Sequence, residues 1–266
     1  MIIDAHVHVH PEADGMGPDC DARLDHLLRE LEASNVDKAA IFAEDVDVPY
    51  IKRIDNAFVS ACCAKYPDRL LGFASVHPLK QNAPQELTHW VGEGGLVGLK
   101  LHPRFQSVSA ADARLTPLVS KARELELPIV VDAFLWKPSP LSVQLPVNID
   151  ALCKRVPETP VVLAHAGGFH FMDALAVAVA NDNAYLEIAT TLLYFEGTPF
   201  EDQFIFALKQ VGAKRVIYGS DHPQHGLADT YGKARTLLAK HGFGEEECAY
   251  IFGQALLSVL PARSRS

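Results

Sequence analysis

Eight short apolar runs of β character alternate with longer helical stretches along the whole chain, and that alternation narrows the folds open to it. The runs fall at residues 1–9, 38–43, 70–76, 98–102, 128–133, 160–165, 184–189 and 215–220. Between them, apolar residues recur at three- and four-residue spacing, as at Leu24, Leu27, Leu28 and Leu31, the period of an amphipathic helix. The pattern predicts helices over 21–34, 49–66, 110–126 and 200–211. Such a series folds either as an open doubly wound sheet or as a closed (β/α)8 TIM barrel. About eight strand–helix units in 266 residues match the barrel. No linker, low-complexity stretch or composition break divides the chain, so residues 1–266 read as a single domain.

The placement of polar residues also favours the barrel. His6 and His8 sit on the first run, Lys100 and His102 at the end of the fourth, Asp132 at the end of the fifth and His165 at the end of the sixth. Asp221 follows the eighth. In a (β/α)8 barrel the carboxyl ends of the strands form the reactive face, where residues distant in sequence converge.

Two residues apart on a strand, His6 and His8 point to the same side, so both rings can reach one point. Neutral imidazole nitrogen at one point suits a divalent metal. Asp221, in the segment Tyr218-Gly219-Ser220-Asp221-His222-Pro223, can join such a site and take a proton from attacking water. His165 precedes Ala166-Gly167-Gly168, small residues that leave space for a ligand; an acid–base or polarising role is preferred to ligation. Lys100 and His102 share a strand face, and Arg104 follows them in the loop. Lys100 and Arg104 suit a substrate carboxylate, with His102 orienting substrate or a metal ligand. Phe105, Phe134, Trp136, Phe169 and Tyr194 lie in the loops of the same face and fit either a compact, partly planar ligand or plain packing.

Charge and composition exclude other classes. A net charge of −9 leaves no basic patch for nucleic acid or an anionic membrane surface, and no apolar run approaches bilayer length. The expected partner is a small-molecule substrate. Barrels of this size often form homo-oligomers, and the sequence leaves that state open. Five cysteines, an odd number without metal-ligand spacing, and a strand beginning at Ile2 lead to the expectation of a reduced, cytoplasmic protein.

Four segments carry a family resemblance by their order and spacing: IIDAHVHVH, GLVGLKLHP, VVLAHAGG and RVIYGSDHP. The closing IFGQALLSVL adds a fifth, with Gln254 where asparagine is usual. Together they resemble the amidohydrolase superfamily, and within it the amidohydrolase-related branch. That branch includes aminocarboxymuconate-semialdehyde decarboxylase, related aromatic-acid decarboxylases and 2-pyrone-4,6-dicarboxylate lactonases. The resemblance implies a metal-dependent (β/α)8 barrel with His6 and His8 as ligands and Asp221 as ligand or general base. It also implies that His165 acts on substrate or bound water. Many members place a histidine at the end of the fifth strand; Asp132 stands there in this chain, as a further ligand, a substrate contact or a salt-bridge partner. The Lys-Leu-His-Pro form resembles the mononuclear branch, with Lys100 uncarboxylated. The implied cofactor is one divalent ion, Zn2+ first and Mn2+ as the alternative. The implied activity is hydrolysis of an ester, lactone or amide in a small carboxylate-bearing substrate. Decarboxylation of an unsaturated or aromatic acid is the second expectation, and a metal-free lactonase or non-catalytic barrel the third.

Overall fold

The computed structural model describes residues 1–9, 20–44, 54–137 and 139–265. Among them eight strands form one parallel sheet in sequence order. They are β1 Ile3–Val7, β2 Lys38–Phe42, β3 Leu70–Ser75, β4 Gly98–Leu101, β5 Ile129–Asp132, β6 Val161–Ala164, β7 Ala184–Glu187 and β8 Val216–Ile217. The first and last strands then meet. The Ala5 amide donates to the Tyr218 carbonyl at 3.0 Å, that of Asp221 to His6 at 2.9 Å, and that of His8 to His222 at 2.7 Å. The ring is a (β/α)8 barrel, as the alternation predicts.

Every expected strand is present, and each is shorter than its apolar run. The lost residues are mostly at the carboxyl ends, where the chain leaves the ladder to present His8, His102, His165 and Asp221. Of the expected helices, 21–34 appears as Cys20–Ser34 and 200–211 as Glu201–Val211. The 110–126 stretch divides at Leu115 into a short 3-10 turn and the helix Thr116–Glu124. The 49–66 stretch yields Asn56–Lys65, and residues 49–53 lie outside the described residues.

Period-two alternation sorts the strands into two apolar layers. Ala39, Ile41, Leu99, Ile129, Val131, Val161, Leu163 and Leu186 pack with helix residues such as Leu27, Leu118 and Leu208 outside the sheet. Ala40, Phe42, Val130, Val162 and Ile217 line the interior, joined below by Leu256 and Val259 of the helix Ala255–Val259. The inner positions that follow next along β4, β5 and β7 are Lys100, Asp132 and Glu187. The barrel is thus apolar at its base and ionisable at its mouth.

Candidate active site

β1 departs from simple alternation. Ile3 and Ala5 belong to the inner layer, whereas Val7 belongs to the outer one. The pairing register with β2 shifts between Asp4 and Val7, in the stretch that carries His6. A bulge of this kind re-aims side chains, and here His6 and His8 both reach the mouth. Their Nε2 atoms lie 3.1 Å apart. Asp221 Oδ1 is 3.8 Å from His6 Nε2 and 3.5 Å from His8 Nε2.

Asp221 is held there by its surroundings. Its φ of 65° is left-handed, its amide is tied to the His6 carbonyl, and its Oδ2 accepts from the Thr190 hydroxyl at 2.8 Å. His165, Ala166 and Thr190 also adopt left-handed φ, at 58°, 45° and 62°. Such residues cost roughly 1–3 kcal/mol each and persist only where neighbours over-determine them. All four lie past the carboxyl ends of β6, β7 and β8.

Glu187, at the end of β7, joins the site from below. Its Oε2 lies 2.7 Å from His6 Nδ1 and accepts from the His165 amide at 3.2 Å, while Oε1 accepts from the Ala189 amide. Gly219 makes room for this contact. A Cβ on it would lie 2.6 Å from Glu187 Oε1 and 2.6 Å from His6 Cβ. Burial raises the Glu187 carboxyl above its ordinary value, while His165 and the two amide donors act against that rise.

Asp132 gathers a second group. Its Oδ2 lies 3.2 Å from His102 Nδ1 and 3.8 Å from Arg104 Nε, and its Oδ1 lies 3.4 Å from His165 Nε2. Burial works to raise the Asp132 carboxyl, but His102, Arg104 and His165 outweigh it and hold the group well below the usual carboxylate range. On the other side of its ring, His165 Nδ1 is 3.2 Å from the Ala189 carbonyl, to which it can only donate. Arg104 lies over the Phe105 ring at 4.3 Å, and His102 stacks on the same ring at 4.0 Å. His102 Nδ1 and Arg104 Nε are buried without a hydrogen-bond partner among the described residues.

Lys100 sits between the two groups with 1 % of its surface exposed, its ammonium 4.4 Å from the centre of the Phe42 ring. Burial lowers its pKa, and Asp132, Glu187, Glu44 and Asp221 pull it back. His6 is pushed well below its ordinary value by burial, then by Lys100 and His165, which keeps the ring neutral. Burial would lower His8 too, but Glu44, at 3.4 Å, and Asp221 raise it. Asp221 stays ionised despite burial because His8, His165 and His6 surround it.

The amidohydrolase sequence profile matches residues 3–255. The chain belongs to the amidohydrolase family. No curated protein sequence matches it significantly. Among solved structures, this amidohydrolase is similar to an uncharacterised TIM-barrel protein from Bordetella bronchiseptica (18 % identity, 97 % of each chain covered, TM-score 0.80). It is also similar to a probable 2-pyrone-4,6-dicarboxylic acid hydrolase from Acinetobacter baumannii (20 % identity, 97 % of this chain and 98 % of that one, TM-score 0.68). A third is 5-carboxyvanillate decarboxylase from Novosphingobium aromaticivorans with bound manganese (14 % identity, 95 % and 94 % covered, TM-score 0.69).

The residues present fit a divalent cation. His6, His8 and Asp221 offer two imidazole nitrogens and a carboxylate oxygen, all within 4.8 Å of one another. Ligand atoms about 2.0–2.2 Å from a tetrahedral zinc stand roughly 3.3–3.6 Å apart, close to the separations of 3.1, 3.8 and 3.5 Å found here. His6, His165 and Glu187 form a second such set. Asp132 belongs to neither set and faces His102, Arg104 and His165. The expected residues therefore meet at one barrel mouth, divided into a His6–His8–Asp221 corner and an Asp132–His102–Arg104 corner with His165 between them.

Glu187 and Thr190 were not anticipated from sequence. Glu187 was legible in principle: it ends an apolar strand between Leu186 and Ile188, in the position that singled out Asp132 in its own strand. Thr190 gave no signal, because its role depends on a loop conformation.

Proposed function

We propose that this amidohydrolase is a metal-dependent hydrolase acting on an ester, lactone or amide bond of a small carboxylate-bearing substrate. The observation that carries the reading is the convergence of His6, His8 and Asp221 across the β8–β1 seam, with neutral His6 and ionised Asp221. A divalent ion held there, zinc or manganese, supplies Lewis acidity and acidifies water. Asp221, its other oxygen fixed by Thr190, receives the proton of the attacking water. His165, its Nδ1–H on the Ala189 carbonyl and its Nε2 beside Asp132, donates from Nε2 to the developing oxyanion or leaving group when both ring nitrogens carry protons. Arg104 binds the substrate's carboxylate through guanidinium N–H groups other than the Nε that faces Asp132, and His102, beside the same Asp132 carboxylate, orients the substrate. Lys100, buried at the same mouth, supplies a positive charge toward the substrate's carboxylate.

Asp221→Asn keeps the size of the side chain but removes the base. Turnover is expected to vanish while the thermal unfolding profile stays close to wild type; retained activity refutes the assignment.

Decarboxylation is the second reading, supported by the likeness to a manganese-bound decarboxylase and by the aromatic rim beside His165. Phe134 lies 5.4 Å from His165 and 6.4 Å from Phe169, which meets Tyr194 at 5.1 Å. Released carbon dioxide against opened lactone, measured over one small substrate panel, separates the two reactions. Metal analysis of the purified protein, with and without chelator treatment, tests the metal-free alternative. We place the protein in the cytoplasm, a reading supported by the free thiols of Cys62, Cys63, Cys153 and Cys248. Among the described residues no helix is long and apolar enough to cross a membrane.

A further inference from the structure

We propose that Glu187 is a positioning residue that fixes the tautomer and orientation of His6, and that Gly219 exists in its glycine form to let it do so. The proposal rests on the reading of His6, His8 and Asp221 as a metal corner. A neutral imidazole carries one proton, and whichever nitrogen holds it cannot bind a cation. In water the proton favours Nε2, the atom that here must face His8 and Asp221. Something has to hold the proton on Nδ1 instead.

Glu187 is placed to do this. Its Oε2 lies 2.7 Å from His6 Nδ1, and both side chains are nearly inaccessible, at 1 % and 2 % exposure. Both carboxylate oxygens already accept backbone N–H groups, from His165 on Oε2 and from Ala189 on Oε1. In its carboxylate form Glu187 only accepts and has no proton to give, so His6 Nδ1 is the donor and Nε2 is left with its lone pair aimed at the metal corner. A carboxylate behind a ligating histidine sets ring orientation and raises ligand basicity. Because the same oxygen holds the His165 amide, Glu187 also anchors the residue at its left-handed φ of 58°. The Thr191 hydroxyl completes that anchor by donating to the His165 carbonyl at 2.6 Å.

The close approach requires bare backbone at Gly219, since a Cβ would come within 2.6 Å of both Glu187 Oε1 and His6 Cβ. Strand β7 thus supplies a role that neither motif around the metal corner contains. It couples that corner to His165, which faces Asp132.

Two measurements test this. Long-range proton–nitrogen spectra of metal-free protein report which His6 nitrogen is protonated. Competition with a chromophoric chelator gives the zinc affinity. Wild type is expected to show His6 protonated at Nδ1. Glu187→Ala should shift His6 toward the Nε2–H form and weaken zinc about 10–100-fold. Glu187→Gln, whose amide oxygen can still accept from Nδ1–H while its NH2 faces the Ala189 amide, should keep the Nδ1–H form and recover part of the zinc affinity. A wild-type His6 protonated at Nε2 overturns the proposal even if the alanine variant fails to fold. So does a folded Glu187→Ala with wild-type zinc affinity. If wild type shows the Nδ1–H form yet takes up no zinc, the metal reading falls and the proposal falls with it. Zinc binding by an Nε2–H His6 defeats the proposal alone.

Discussion

Gly219→Ala adds a single methyl group, and the structure gives its consequences in some detail. Backbone strain does not enter, because Gly219 is absent from the positive-φ residues. The change is therefore steric. The new Cβ would stand 2.6 Å from Glu187 Oε1 and from His6 Cβ. Ordinary carbon contacts begin near 3.4 Å, so each neighbour must retreat by roughly 0.8 Å in a close-packed interior. Overpacking of this kind costs about 1–3 kcal/mol. Stiffening of the unfolded chain by alanine returns about 0.4–1 kcal/mol. The net loss, at most about 2.6 kcal/mol and centred near about 1.3 kcal/mol, corresponds at its centre to a Tm lower by about 3–5 °C for a chain of this size. A displacement of that size also exceeds the tolerance of about 0.5 Å within which a binding constellation works. Zinc affinity should therefore fall about 10–100-fold, shrinking the metal-induced stabilisation at fixed saturating zinc by about 1.4–2.7 kcal/mol. The assay is thermal unfolding of metal-free and zinc-loaded protein. Gly232→Ala is the control: it lies inside the helix Leu227–Lys240, and its Cβ would meet nothing within 4 Å. That substitution should stabilise by about 0.5–1 kcal/mol. If Gly219→Ala matches wild type in both Tm and zinc increment, the close-approach argument is wrong.

Two further outcomes are expected. Lys100→Met removes a buried ammonium that faces Asp132, Glu187, Glu44 and Asp221, and should cost roughly 3–5 kcal/mol in metal-free protein. The readout is a lower urea midpoint at constant slope, and a wild-type midpoint would show that Lys100 does not balance those carboxylates. Glu201 probes acid stability away from the site. Lys240 at 2.6 Å, with the Gly197 amide and His241, holds its carboxyl down to about 2. A depressed carboxyl stabilises the fold above its unfolded value of about 4.3, and the benefit disappears as pH falls toward 2. Glu201→Gln should be less stable than wild type at neutral pH, with the gap closing between about pH 4 and pH 2. A gap independent of pH would exclude the linkage.

The sequence alone carried the architecture, because hydrophobic period and strand–helix alternation are local properties that each segment displays by itself. Eight apolar runs predicted eight strands, and polar residues at their carboxyl ends marked one face of a barrel. The same local logic brought His6, His8, Lys100, His102, Asp132, His165 and Asp221 together, since strand ends in a closed ring converge whatever their separation along the chain. Only the tertiary structure decided how these groups divide. Asp132 could be read as a metal ligand from its place in the strand, yet it stands among His102, Arg104 and His165, which come from other strand ends and loops. The register shift in β1 and the left-handed residues His165, Thr190 and Asp221 are conformations that no residue type announces. The contact between Glu187 and His6 crosses 181 positions through a gap left by a missing methyl at Gly219. Such a contact is set by packing to within fractions of an ångström, and a one-dimensional pattern holds no record of distances at that scale.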